Sequence, residues 1–570
     1  MSTEPRKILI VGGVAAGMKS ASRLRRLDPK AQITVVERGI HLSYGACALP
    51  YVISEEIEDL DEVRQTANGT VRDEAFFSMV KDVEVLTRCE AVRIDREKQE
   101  LEVHFLDDDR YQSMSYDVLV LATGSRPLVP PFPGRDLAGV CALKNMDDAA
   151  SIAKLVEPGA RAVIVGGGLI GLEMAEALGS RGMDVTLLEM QEQVLFGILD
   201  SDMAEHIHRV LRNAGIKLHL GEALQTISGQ NDQVQKVTTT IGSYPADLVI
   251  LALGAKPNIE LAQEAGLNIG PSGAIAVNQQ MQTSDPNIWA AGDCVESYHL
   301  LNHQPLHLPL GSTANKHGRI VADAICGRPA HFPGILGTLL VKVFGLNVGR
   351  TGLSPEKAAQ SGFDPVSIFA PSPDRVHSMR GAKPILTRLT IDRESRKLLG
   401  AQIVGPGEVA KRIDVVATAL SFGADIDQLA QVDLGYAPPF SAAMDPLHQA
   451  ANALRNKLDG LADSLSPLKL KQRLDLGEDL LLLDVRSPAE HAEVRMAGAT
   501  LLPLGKLRAK VAELPKDKLI VPFCKISLRG YEAVRILHAA GFEKVAYLEG
   551  GLLGWPYELE RGAPEVPITN

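Results

Sequence analysis

Residues 161–189 read RAVIVGGGLIGLEMAEALGSRGMDVTLLE. An apolar run meets a glycine turn, Gly166, Gly168 and Gly171, and a helical pattern follows it. A second apolar run then closes on Glu189. This is the pattern of a βαβ unit. Its turn aims a helix N-terminus and free N–H groups at a pyrophosphate, and the acid ending the second strand accepts the ribose hydroxyls. Met-Gln-Glu follows Glu189 with no Arg or Lys to receive a 2′-phosphate, so the expected dinucleotide is NADH.

The same plan occurs earlier in the chain. KILIVGGVAAGMKSASRLRRL starts at Lys7 and carries Gly12, Gly13 and Gly17, with Val14 at the middle glycine position. Its second apolar run ends in Glu37. Each copy has a downstream echo, YDVLVLATGSRP at 116–127 and ADLVILALGAKP at 246–257. TSDPNIWAAGDCVE at 283–296 completes the first unit, so the second is inserted into it. Paired complete units are far more specific than one glycine motif.

The rest of the chain fits around this repeat. Its 570 residues predict roughly three to five domains. The composition, 45% hydrophobic and 23% charged, excludes disordered and fibrous classes. A net charge of −11 argues against nucleic acid or an anionic membrane as partner. Six cysteines lack the density of a disulfide framework or the spacing of a metal site, which suits a reducing cytoplasm. No signal peptide and no bilayer-spanning run is expected.

The reading predicts an α/β chain with five parts. These are a first dinucleotide domain (1–150 and 276–333), a second (151–275), an α+β domain (334–455), a polar linker (456–466) and a compact α/β domain (467–570).

Paired units with ATGSRP and AAGDCVE resemble the two-dinucleotide flavoprotein disulfide reductases over about residues 5–455. The resemblance implies FAD at the first unit, held by Gly12, Gly13, Gly17, Glu37, Arg38, Ser43, Thr123 and Gly124, with Gly292 and Asp293 near the ribityl and pyrophosphate. It implies NADH at the second, through Gly166, Gly168, Gly171, Glu189 and Gly254. Hydride would pass from NADH to flavin, and electrons onward to the opposite face. Relatives with an internal disulfide carry C-x-x-x-x-C. Here Ser43-Tyr-Gly-Ala-Cys47-Ala-Leu-Pro-Tyr51 has one cysteine. It is similar to the branch of coenzyme A-disulfide reductases, persulfide reductases and NADH oxidases or peroxidases, in which the cysteine's redox partner is external. A helix start at Leu49–Tyr51 suits a thiol whose pKa is lowered.

Oxidases and peroxidases of this branch carry a histidine in the first turn. Ala15 stands there, which weighs toward sulfur as acceptor. Lys19, Arg23 and Arg26 share a helix face at i, i+4 and i+7. With Ser43 they match positions that line the coenzyme A site, against a plain solvated basic face. DLGYAPPFSAAMDP at 433–446 is close to the dimerisation-domain signature whose tyrosine reaches across the dimer, making Tyr436 a general-acid candidate in a homodimer. Three departures stand out: Ala46 replaces an Asn, Met444 a substrate-contacting Lys, and RVHSMRGAKP at 375–384 lacks a second tyrosine.

Residues 467–570 resemble a rhodanese domain through LLLLDVRSPAEH, MAGATLLP, VPFCKISLRGYEA and GGLLGWP. The resemblance implies that Cys524 carries sulfane sulfur in a loop anchored by Arg529, with Asp484 and Arg486 as framework. A substrate of thiol, persulfide or coenzyme A type follows. An NADH oxidase or peroxidase working through a Cys47 sulfenate, and a non-catalytic redox sensor or sulfur carrier, stay open as alternatives.

Overall fold

The structure, a computed structural model, describes residues 5–562. They divide into two compact units. One runs through Glu192 and resumes over Gly215–Ile335; the other takes Gln193–Ala214 and the chain from Leu336 onward.

In the first unit two five-stranded parallel sheets repeat one plan. Lys7–Val11 lies between Gln32–Val36 and Val118–Leu121, with Glu84–Leu86 and Ile288–Ala290 at the edges. Arg161–Val165 lies between Asp184–Leu188 and Leu248–Leu251, with Lys217–His219 and Val140–Cys141 at the edges. Every residue of Val118–Leu121 and Leu248–Leu251 is buried. Strands covered on both faces carry unbroken apolar runs, so these read as VLVL and LVIL instead of alternating. Helices Ala16–Leu27 and Leu169–Ser180 follow the glycine turns. Helix Gly311–Ile325 packs on Ala16–Leu27, where the Gly318 carbonyl accepts from Ser20 Oγ at 3.1 Å. Each sheet also has a three-stranded antiparallel attachment, starting at Cys89 and at Leu224.

Two expected boundaries need correction. Val140–Cys141 already belongs to the second sheet, so a border at 151 is late; a two-residue strand carries no readable periodicity. Helix Ser201–Asn213, expected in the second dinucleotide domain, groups with the second unit. Arg388 bonds Asp200 at 2.6 Å and Asp202 at 2.5 Å, tying that helix's start to the sheet.

That sheet is five-stranded and antiparallel, ordered Leu339–Val343, Leu346–Gly352, Leu398–Gly405, Pro384–Asp392, Pro365–Pro373. Helices Ala410–Ser421 and Pro446–Leu458 pack against it. The C-terminal part is built on Leu480–Asp484, parallel to Thr500–Leu501 and Leu519–Phe523. The expected linker 456–466 is not a free tether. The helix runs to Leu458, Ala462 joins the apolar core, and Ser464–Leu465 pairs with Tyr547–Leu548. Its polar composition hid two inward-facing apolar side chains.

Candidate active site

The two glycine turns obey the same constraints. Gly12 has φ +109° and Gly166 φ +110°, and a Cβ at either would collide with the carbonyl oxygen of Ala122 or Ala252. A Cβ on Gly17 or Gly171 would collide with the carbonyl oxygen of Gly12 or Gly166. Only glycine permits this approach of helix to strand. Each acid sits over its own turn. Glu37 accepts from the N–H of Gly13 at 2.6 Å and Gly39 at 2.7 Å; Glu189 accepts from Gly167 at 2.7 Å and Gln191 at 2.8 Å. Around Gly124, Gly168 and Gly254 a Cβ would meet open space, the room a pyrophosphate or ribityl chain needs. The residues fit two dinucleotide cofactors.

Several expected groups gather at the first turn. Ser43, at φ +51°, donates its N–H to the Gly13 carbonyl at 2.9 Å, and its own carbonyl accepts from Arg72. Thr123 Oγ1 donates to the Asn258 carbonyl at 2.7 Å. The Gly292 N–H donates to His317 Nδ1 at 3.3 Å. The Asp293 carboxylate accepts from Ser125 Oγ at 3.1 Å and lies 3.5 Å from Lys144 Nζ, while its carbonyl accepts from His307 Nε2. Arg38 is the exception. Its side chain turns to Glu90 and solvent.

Cys47 is exposed, on a short 3₁₀ turn (Ala46–Ala48) that precedes helix Leu49–Ile53. Its Sγ lies against Gly311, the first residue of helix Gly311–Ile325. Desolvation pushes the thiol up, and the carboxylates of Glu173 and Asp293 add to this; Lys144 and a backbone N–H pull the other way. Among the protein's own groups the expected lowering is opposed, because desolvation and two acids outweigh Lys144 and the backbone N–H. Glu173 is itself pushed up to about 7, first by burial and then by Glu176. It sits two residues past Gly171 on helix Leu169–Ser180, which follows the second glycine turn. Sequence reasoning missed Glu173 and Lys144, since neither belongs to a spacing motif read from the chain.

The basic face is smaller than expected. Arg23 forms a two-pronged bond to Asp323, at 3.1 and 2.7 Å, joining its helix to Gly311–Ile325. Lys19 and Arg26 remain exposed, with Arg26 Nε on the Ser22 carbonyl.

In the second unit, Tyr436 and Met444 are about half exposed on the 433–446 segment. Its end is pinned by a buried cluster: Asp445 accepts from Arg412 at 2.9 Å, from Ser441 at 2.7 Å and from the Leu447 N–H at 3.0 Å. Cys524 is buried at the end of strand Leu519–Phe523. Arg529 acts electrostatically on Cys524 and makes a two-pronged pair with Glu490 at 2.9 and 2.7 Å. That pairing, first among the causes, holds the Glu490 carboxyl down to about 2. Arg486 and His491 bond the fully buried Asp484, a framework ahead of the loop.

Residues 6–318 match the pyridine nucleotide-disulphide oxidoreductase family, 339–448 its dimerisation domain, and 466–557 the rhodanese-like domain. Among solved structures, a NAD-dependent persulfide reductase from A. fulgidus is 43% identical, with TM-score 0.92, over 96% of this chain and 100% of that one. A CoA-dependent NAD(P)H sulfur oxidoreductase of Pyrococcus abyssi is 37% identical over 79% of this chain and 98% of its own length. A protein named NADH oxidase from Methanocaldococcus jannaschii is 36% identical over 79% and 99%. Among the described residues no helix is long and apolar enough to cross a membrane.

Proposed function

This chain belongs to the pyridine nucleotide-disulphide oxidoreductase family, with a rhodanese-like domain attached, and on that premise we propose that it is an NADH-dependent reductase of persulfide, polysulfide or coenzyme A-disulfide substrates. The observation that carries this reading is the isolation of Cys47. It is exposed and free, whereas Cys89, the next cysteine along, is packed into the core of the first sheet. A thiol without an internal partner must exchange with an external sulfur.

The first glycine turn, with Glu37, Ser43, Thr123 and Asp293, would hold FAD; the second, with Glu189, would hold NADH. When bound, the flavin supplies two electrons to the thiol site. The Cys47 thiolate attacks the carbon-bound sulfur of a persulfide R–S–SH. The S–S bond breaks, HS⁻ leaves, and a Cys47–S–S–R mixed disulfide forms. Two electrons and one proton then regenerate the thiolate and release RSH. Tyr436, supplied across a homodimer, is the proposed proton donor. The strongly exposed Phe422 and Phe440 of the dimerisation domain support that assembly. Lys19 and Arg26, with Ser43, are the proposed seat for the nucleotide end of coenzyme A. Cys524, with Arg529, would accept or present sulfane sulfur, and the shared chain raises its concentration near Cys47. Six unpaired cysteines support a cytoplasmic setting.

Ala15, where an oxidase carries a histidine, leaves the first turn without a base for oxygen chemistry. The test is anaerobic rapid mixing of the NADH-reduced holoenzyme with acceptors. Flavin absorbance should return fastest with polysulfide or coenzyme A persulfide. Faster return with O₂ or H₂O₂ would make the chain an oxidase or peroxidase instead.

A further inference from the structure

Helix Leu528–Ala539 begins at the loop that carries Cys524, and its N-cap is Ser527. A serine at an N-cap ordinarily turns its hydroxyl onto the first N–H groups of its own helix. Ser527 makes no such bond. Its Oγ accepts instead from the N–H of Gly550 at 2.7 Å, and its backbone sits at φ +92°, a conformation that side chains other than glycine rarely adopt. The first N–H groups of the helix are thereby left to the loop, where an anionic sulfur needs donors.

The segment that receives Ser527 has two faces. Toward the loop, the Leu552 and Leu553 N–H groups donate to the carbonyls of Cys524 and Lys525 at 2.9 and 3.0 Å. Gly551 lies so close that a Cβ there would strike the Cys524 carbonyl. Toward the antiparallel sheet, Gly550 and Gly554 rest on the ring of Phe369, where a Cβ on Gly550 would stand 2.6 Å from ring carbons. Buried Glu549 adds three bonds, from the Phe369 N–H at 3.0 Å, Lys457 Nζ at 2.7 Å and Ser464 Oγ at 2.6 Å. One short turn grips the sulfur loop and the dimerisation domain together.

We propose that Ser527 is a positioning residue for Cys524, and that residues 549–554 form a brace through which Phe369 of the dimerisation domain holds the sulfur-bearing loop in its working shape. This rests on the reading of Cys524 as the sulfur carrier. With thiosulfate as the probe sulfane-sulfur donor, the step it serves is S₂O₃²⁻ + Cys524–S⁻ → Cys524–S–S⁻ + SO₃²⁻. The thiosulfate S–S bond breaks, its electron pair leaves with sulfite, and a new S–S bond forms on Cys524.

The experiment measures sulfite release and the persulfide mass of Cys524 in the full-length holoenzyme treated with thiosulfate. Ser527→Ala should slow transfer by about tenfold, short of the roughly hundredfold that a 1 Å misplacement of a reacting group can cost. Ser527→Asn should recover part of the rate, because it offers an acceptor oxygen and tolerates a positive φ better than a β-branched residue. Ser527→Gly should not, although glycine adopts φ +92° more easily than serine. Phe369→Leu, away from the sulfur, should slow the same step by a few-fold, mainly in kcat, while NADH-driven turnover of a small disulfide reports that the fold is intact. A Gly variant as fast as the parent, or parental transfer in Phe369→Leu, overturns the brace. Cys524→Ser separates the two ideas: sulfite release at the parental rate in that variant removes the carrier reading itself, and the brace with it.

Discussion

Cys47 stands exposed on a three-residue turn with Glu173 and Asp293 acting on it, whereas Cys524 is buried at a strand end under the electrostatic influence of the Arg529 guanidinium. Both are single thiols beside the start of a helix, yet their surroundings do different work. At Cys47 the protein's own groups disfavour the thiolate, since desolvation and two acids outweigh Lys144. At Cys524 the proposed anion holder lies in the polypeptide itself: Arg529 fixed by Glu490, and a helix start left uncapped by Ser527. A thiol that works against a redox cofactor can leave part of its electrostatics to that cofactor. A thiol that must store a charged persulfide needs them built into the polypeptide.

The largest test of this contrast removes each sulfur in turn. Cys47→Ser should cut NADH-driven sulfide release by on the order of a thousandfold, because no other thiol can take over the exchange. The flavin spectrum should persist, as the glycine turn and Glu37 are untouched. Cys524→Ser should lower turnover of sulfane sulfur donors by on the order of a hundredfold, the lower end of a lost local-concentration effect, and spare small disulfides. Equal losses in the two variants would mean that the thiols act as one inseparable unit.

The next effect in size probes the anion holder. Arg529→Lys keeps the charge but loses the planar fork that engages Glu490 with two bonds. Persulfide formed on Cys524 should fall by about tenfold, a scale typical of a lost bidentate contact, and Arg529→Met should fall further. Thiol release from small disulfides at Cys47 is the companion measurement. A lysine variant that loads sulfur like the parent would show that charge alone suffices and would weaken the contrast between the sites.

How far the chain could be read before its structure follows from the same contrast. The glycine turns were legible because backbone collisions force specific residues: only glycine fits at 12, 17, 166 and 171, so the spacing survives in the sequence. Glu37 and Glu189 were legible because each must end its strand beside such a turn. The reach of helix Ser201–Asn213 into the second unit was not legible, because it rests on Arg388 meeting Asp200 and Asp202 across nearly two hundred positions. Arg23 shows the limit of periodicity. Its spacing with Lys19 and Arg26 gives a shared face but not the Asp323 that occupies it. The surroundings of Cys47 were missed for the same reason, since Glu173 and Lys144 act on it from other segments of the chain.

The finest test concerns those two side chains. Glu173→Gln removes a carboxylate that raises the Cys47 thiol, and Lys144→Met removes a cation that lowers it. The pH midpoint of Cys47 alkylation should therefore fall in the first variant and rise in the second, each by about half a unit to one unit for a single nearby charge. Because the Glu173 carboxyl titrates at about 7, its influence is present above that pH and fades below it. The parent's alkylation profile should be broader than one titration, and the glutamine variant's should sharpen. Stability carries the same signature. A carboxyl raised from its usual 4.5 to about 7 makes the folded state retain a proton that the unfolded chain has released, so the parent loses stability as pH rises from 4.5 through 7. Glu173→Gln escapes that loss. Its advantage in thermal unfolding should be nil near pH 4.5 and reach on the order of 3 kcal/mol above pH 7. An advantage that does not vary with pH would place the effect in packing and remove Glu173 from the electrostatics of Cys47.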